Sequence, residues 1–141
     1  DLAFPGMLPD HPLYKLKVLR DKITLFLTQD PMKKAQYHLL LADKRIHMAA
    51  ILIDKGEIEL AKETALKGEN EYTLLVNTLK DARKKPSKEL FEKLEKASLK
   101  HQEVLTKTLG KVDSKDKKTF ENVIYFSKTN LNEIKTIYKT Y

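Results

Sequence analysis

Ala35, Leu39, Ala42, Ile46, Ala49 and Ile53 recur at steps of four, three, four, three and four residues. At 3.6 residues per turn, such positions fall on one side of a helix as a continuous seam. A strand would scatter them over both faces. A seam of this length has to be buried against other helices, so the stretch commits the chain to a helical bundle. Asp30-Pro31 precedes it as N-cap and first helical residue, and Gly56 follows it as a terminator.

Further stripes keep the same period. Asp10, His11 and Pro12 mark a start, after which Leu16, Leu19, Ile23 and Phe26 form one helical face. Ile58, Ala61, Ala65, Gly68, Tyr72, Leu75 and Leu79 form the stripe of a third helix. Gly68 costs about 1 kcal/mol relative to alanine in a helix interior, so it marks either a close helix approach or a local break. The connector "KDARKKPSKEL" leads to a fourth helix carrying Leu90, Leu94, Ala97, His101, Val104 and Thr108, widened by Phe91 and Leu105 and ended by Gly110. Asp113 and Ser114 are caps for a last helix lined by Phe120, Ile124, Leu131, Ile134, Tyr138 and Tyr141. The expected fold is all-α: an antiparallel up-down four-helix bundle with an additional short N-terminal helix, five helices in all. Residues 1–10 are expected to be a linker after a leader or anchor, and residues 11–141 a single bundle domain.

Composition narrows the function. A length of 141 residues is enough for one sizeable core, and 4 glycines with 5 prolines are too few for a turn-rich β fold. The absence of cysteine excludes disulfides and thiolate metal sites. No apolar run approaches the roughly 20 residues of a membrane-spanning helix. The net charge of +7 is carried by lysine; Arg20, Arg45 and Arg83 are the only arginines. Base and phosphate recognition leans on the arginine fork, so nucleic acid is not expected as a partner.

Few residues point to chemistry. His101 sits on an apolar stripe and needs a polar partner there, such as a facing Tyr, Glu or backbone carbonyl. His38 lies beside the second helix's seam, and His38, His101 and Glu71, with Tyr72, are the candidate set for a metal or ligand inside the bundle. The spacing weighs against a metal, because neither E-x-x-H nor H-x-x-x-H occurs and His38 and His47, nine apart, point to opposite faces. Nucleophile-elbow, phosphate-loop and H-E-x-x-H patterns are missing too, so neither an enzyme nor a cofactor is expected. Glu57, Glu59, Glu63, Glu69 and Glu71 read as exposed charges paired with lysines. Tyr138 and Tyr141 near the end of the chain, and Lys84 and Lys85 in the basic connector, are candidates for an interaction surface. Lys15, Lys17, Arg20 and Lys22 surround the first helix's stripe. The expectation there is a core-packed helix with snorkelling lysines, and the alternative is a helix lying on an anionic membrane surface.

Four stretches in order, "LPDHPLYKLKVLRDKI" (8–23), "DPMKKAQYHLLLADKRI" (30–46), "GEIELAKETALKGENEY" (56–72) and "HQEVLTKTLGKV" (101–112), resemble a bacterial family catalogued as domain of unknown function 5667. Its pattern is L-P-x-x-P-L-Y-x-L-K, then D-P-x-x-x-A-x-x-H-L-x-L-A-x-x-R, then H-x-x-V-L. The last helix matches least. The resemblance implies a helical domain exported behind a signal peptide or membrane anchor, with some relatives linked to anti-sigma factors, and it implies no activity. The stretch 8–23 is then expected to open a mature extracytoplasmic domain. The functional expectation is a non-catalytic protein-interaction, scaffold or sensing module of the cell envelope, with an unidentified protein partner. A metal- or small-ligand-binding bundle and a lysine-rich binder of membrane or nucleic acid are the alternatives. A monomer or weak homodimer is expected, because each long helix already has partners within the chain.

Overall fold

In the computed structural model the described residues are 14–27 and 30–141, without the side chains of residues 23–27. They form five helices: α1 (Tyr14–Leu27), α2 (Pro31–Asp54), α3 (Ile58–Ala82), α4 (Lys88–Leu109) and α5 (Ser114–Thr140). No strand occurs among the described residues. The expected linker over residues 1–10 and the start signal at Asp10, His11 and Pro12 lie outside them.

Local chemistry sets the helix limits. Asp30 caps α2, its Oδ1 accepting from the Met32 N–H at 2.9 Å, with Pro31 at the first helical position. Gly56 has φ +80°, which reverses the chain within a short turn into α3. α3 ends on Arg83 in the left-handed region (φ 51°), and the Ser87 Oγ accepts from the Leu90 N–H at 3.1 Å to open α4.

Successive long helices alternate in direction, as expected of an up-down bundle. The packed pairs are α2 with α3, α4 with α5, α3 with α5, and α2 with α4. Within the two hairpins the helices are antiparallel: Gly68 meets Arg45 and Ile46 while Glu71 meets His38, and Ser98 meets Ser127 while Glu95 meets Lys135. Between hairpins the neighbours run parallel, since Asp43 meets His101 while Asp54 meets Lys111, and Lys62 meets Asp116 while Lys80 meets Glu133. The short link after α3 therefore crosses the bundle's diagonal. Tyr72 spans that diagonal directly, donating to the Leu94 carbonyl at 2.9 Å.

The α2 seam is buried along its whole length. Two apolar clusters fill the ends of the bundle. One is built around Leu39, Tyr72, Leu79, Leu94 and Ile134, and the other around Ile46, Leu52, Ala65, Leu105 and Phe120. Two stripes differ from expectation. On α5 the buried line runs through Phe120, Val123, Ser127, Asn130, Ile134 and Ile137, so Ile124 and Tyr138 lie at its edge and Tyr141 is exposed. On α1 the expected apolar stripe is turned outward: Leu16 is 66% and Leu19 55% exposed. Instead, Tyr14, Lys17, Val18 and Asp21 face Leu41 and Met48 of α2, and the Tyr37 hydroxyl donates to Asp21 at 3.1 Å. Hydrogen bonding to α2 orients α1 by its polar side. Ile23 and Phe26, the rest of that stripe, belong to the side chains outside the described ones.

Gly68 does not break α3. It is a close-approach residue: a Cβ there would lie 3.0 Å from Ile46 Cδ1 and 3.2 Å from Arg45 Cβ. The Ile46 terminus can move, but Arg45 Cβ is fixed to its backbone. Overpacking typically costs about 1–3 kcal/mol, and alanine returns about 1 kcal/mol of helix propensity. Gly68→Ala is therefore expected to lower unfolding free energy by about 1 kcal/mol, measured by urea denaturation; a more stable variant would show that α2 yields freely.

Candidate functional site

Midway along the bundle, between the two apolar clusters, each pair of packed helices is joined by buried or half-buried polar side chains. α2 meets α4 through Asp43 Oδ1 and His101 Nε2 at 2.6 Å. α4 meets α5 through Ser98 and Ser127, whose hydroxyls are 3.2 Å apart, with Gln102 donating to both. α5 meets α3 through Asn130, whose Nδ2 donates to Glu69 Oε1 at 2.8 Å and to Thr73 at 3.0 Å. α3 returns to α2 through Glu71, which accepts from Arg45 Nη1 at 2.6 Å and pairs with His38 Nδ1 at 2.7 Å. Together they make a closed polar ring.

His101 is fully buried at 0% exposure. An ionised carboxylate only accepts, so the Nε2 proton points to Asp43. The other ring nitrogen, Nδ1, meets no partner among the described residues. The edge of the ring contacts Tyr72, with centroids 6.2 Å apart. A polar partner for His101 was expected, and the structure supplies Asp43 in place of a Tyr, Glu or backbone carbonyl.

Two glutamates two residues apart on α3, Glu69 and Glu71, are in opposite situations. Burial pushes Glu71 up, but the bond from His38 and the Arg45 guanidinium outweigh it and hold its carboxyl below the ordinary value. Burial also pushes Glu69 up, to about 7, and only the Asn130 bond works against it. Glu69 is 3% exposed, and its Oε2 meets no partner among the described residues. Both corrections run against the reading of these two residues as exposed charges paired with lysines. Glu59 does fit that reading, bonded to Lys62 at 2.9 Å.

Glu69 also lines a cleft of about 330 Å³ between α3 and α5, with Leu66, Asn70, Thr73 and Phe126. Phe126 is 50% exposed, and its ring meets that of exposed Tyr125 edge-on at 5.9 Å. The cleft was not foreseen. A usable signal was present: Glu69 directly follows Gly68 and precedes Tyr72 by three residues, both on the seam.

Of the candidate metal or ligand residues, the structure brings His38 and Glu71 together, while His101 is held apart by its own carboxylate, Asp43. No group of three or more His, Asp or Glu placed to hold a metal ion occurs among the described residues. Of the candidate interaction residues, Tyr138 stacks on Phe91 at 4.1 Å with Lys85 Nζ 4.9 Å from its ring centroid. Lys84 and Tyr141 are exposed.

A family model described as Domain of unknown function (DUF5667) matches residues 6–115, and the chain belongs to that family. The match takes in α1 to α4 and stops at the start of α5, the helix whose resemblance is weakest. Neither a curated protein nor a solved structure is significantly similar to the chain. No helix among the described residues is long and apolar enough to cross a membrane.

The state of Glu69 makes stability depend on pH. Its folded value, about 7, lies above the ordinary 4.5. The folded chain therefore keeps a proton that the unfolded chain loses, and stability falls as pH rises from about 4.5 to 7. A rise of that size corresponds to about 3 kcal/mol at most above neutrality. Glu69→Gln keeps an oxygen for Asn130 and removes the charge. Thermal melts are expected to show the variant more stable than the parent near pH 8, with the gain vanishing near pH 4. An equal gain at both values would place the effect elsewhere.

Proposed function

We propose that the chain is a non-catalytic protein-interaction or scaffold module of the bacterial cell envelope, and that it docks a partner over the outer face of α3 and α5. The observation that carries this reading is the division of its side chains. His38 pairs with Glu71 and His101 with Asp43 inside the ring, while Leu66 and Phe126 stand exposed at a cleft with Tyr125 beside Phe126. Large apolar side chains gathered on a surface mark docking sites. The extracytoplasmic setting rests on what the family resemblance implies, and the expectation of no catalysis on the missing catalytic motifs.

A photoreactive amino acid in place of Phe126 or Tyr125 tests it in cells. Cross-links to a discrete protein are expected from these two positions and not from exposed Lys117, lower on the same helix. Equal adducts from all three, or none, would contradict the reading.

α1 favours a second reading, contact with an anionic membrane surface. Leu16 and Leu19 are exposed beside Lys15 and Lys22, the arrangement of a helix that lies in the headgroup region. Flotation with anionic vesicles at low salt is expected for the parent and not for a Leu16→Ser, Leu19→Ser variant. Failure of the parent to float would dispose of it.

A further inference from the structure

Glu69 has one carboxyl oxygen unanswered among the described residues, while Glu71, two residues on, has both oxygens bonded. A buried acid without a cation is costly to ionise, and a titratable group perturbed by burial at a cleft is a candidate ligand site. The groups around Glu69 are Asn130 from α5 and Thr73 and Tyr72 from its own helix, none of them cationic. Among the described residues it is also the ionisable member of the polar ring that lines the α3–α5 cleft, whose walls include Thr73 and exposed Leu66 and Phe126. The cleft's volume of about 330 Å³ lies at the lower end of the range for small-ligand sites.

We infer that this cleft binds a primary ammonium group carried on an apolar stem, the stem lying between Leu66 and Phe126 and the ammonium paired with the Glu69 carboxylate. Phe126 adds the face of an aromatic ring, which attracts cations. Two sources present this chemistry: a lysine side chain of a docked protein and a free alkylamine. The lysine form deepens the interaction reading above and rests on it.

The test is calorimetric titration of the purified chain with hexylammonium, with hexanol, and with a short peptide holding one lysine between leucines. Saturable binding of hexylammonium but not hexanol is expected, about ten-fold tighter at about pH 8 than at about pH 6 as Glu69 ionises through about 7. Glu69→Gln is expected to weaken it at least about ten-fold at the higher pH. Phe126→Ala, a change at an exposed position, is expected to weaken it several-fold whether or not the Gln variant folds. Tighter binding of the peptide assigns the site to a partner's lysine, and tighter binding of hexylammonium assigns it to a free amine. No saturable binding of either, equal binding of hexanol, or affinity unchanged in both variants would overturn the inference. None of these outcomes depends on cross-linking in cells, so the ammonium site and the docking reading fail separately.

Discussion

Four polar junctions at the midpoints of α2 to α5 hold the bundle in register. Asp43 with His101, Ser98 with Ser127, Asn130 with Glu69, and Glu71 with Arg45 and His38 join each helix to both of its neighbours. The apolar clusters above and below supply most of the burial, but Leu, Ile and Ala surfaces tolerate sliding. A buried charged pair does not, because shifting one helix by a turn strands a charge in the interior, and breaking such a pair costs about 3–5 kcal/mol. Gly68 belongs to the same constraint. The close approach it permits sets Arg45 and Ile46 against α3, with the Arg45 guanidinium bonded to Glu71.

His38 and His101 are each paired with a carboxylate inside the bundle, Glu71 and Asp43 respectively. Two surfaces differ from the rest: the outward face of α1 and the cleft between α3 and α5. The second is connected to the ring through Glu69, so whatever binds there acts on the interior charge balance as well.

The architecture was largely legible in the sequence. The period of α2, the Asp30-Pro31 start and the Gly56 turn each follow from one-dimensional spacing and backbone chemistry. His101 was legible as a residue needing a partner, though not which one, because Asp43 is fifty-eight residues away and its pairing depends on the diagonal crossing after α3. Glu69 and Glu71 depart from the reading as exposed charges because residue type outweighs position there: Glu69 sits on the buried side of its helix by spacing alone. Likewise α5 hides its interior line behind polar residues, Ser127 and Asn130, which a count of apolar spacings passes over. On α1 the apolar stripe was real but its direction was not encoded in its period. The Tyr37–Asp21 bond and the contacts of Val18 turn it outward.

The most direct test of this account is a carbon-13 NMR titration that follows the glutamate carboxyl carbons of the intact chain. Glu69 is predicted to titrate near 7 and Glu71 below the ordinary 4.5. A Glu69 midpoint at the ordinary value would mean that its carboxyl is solvated or already paired, and the contrast on which the account depends would not exist.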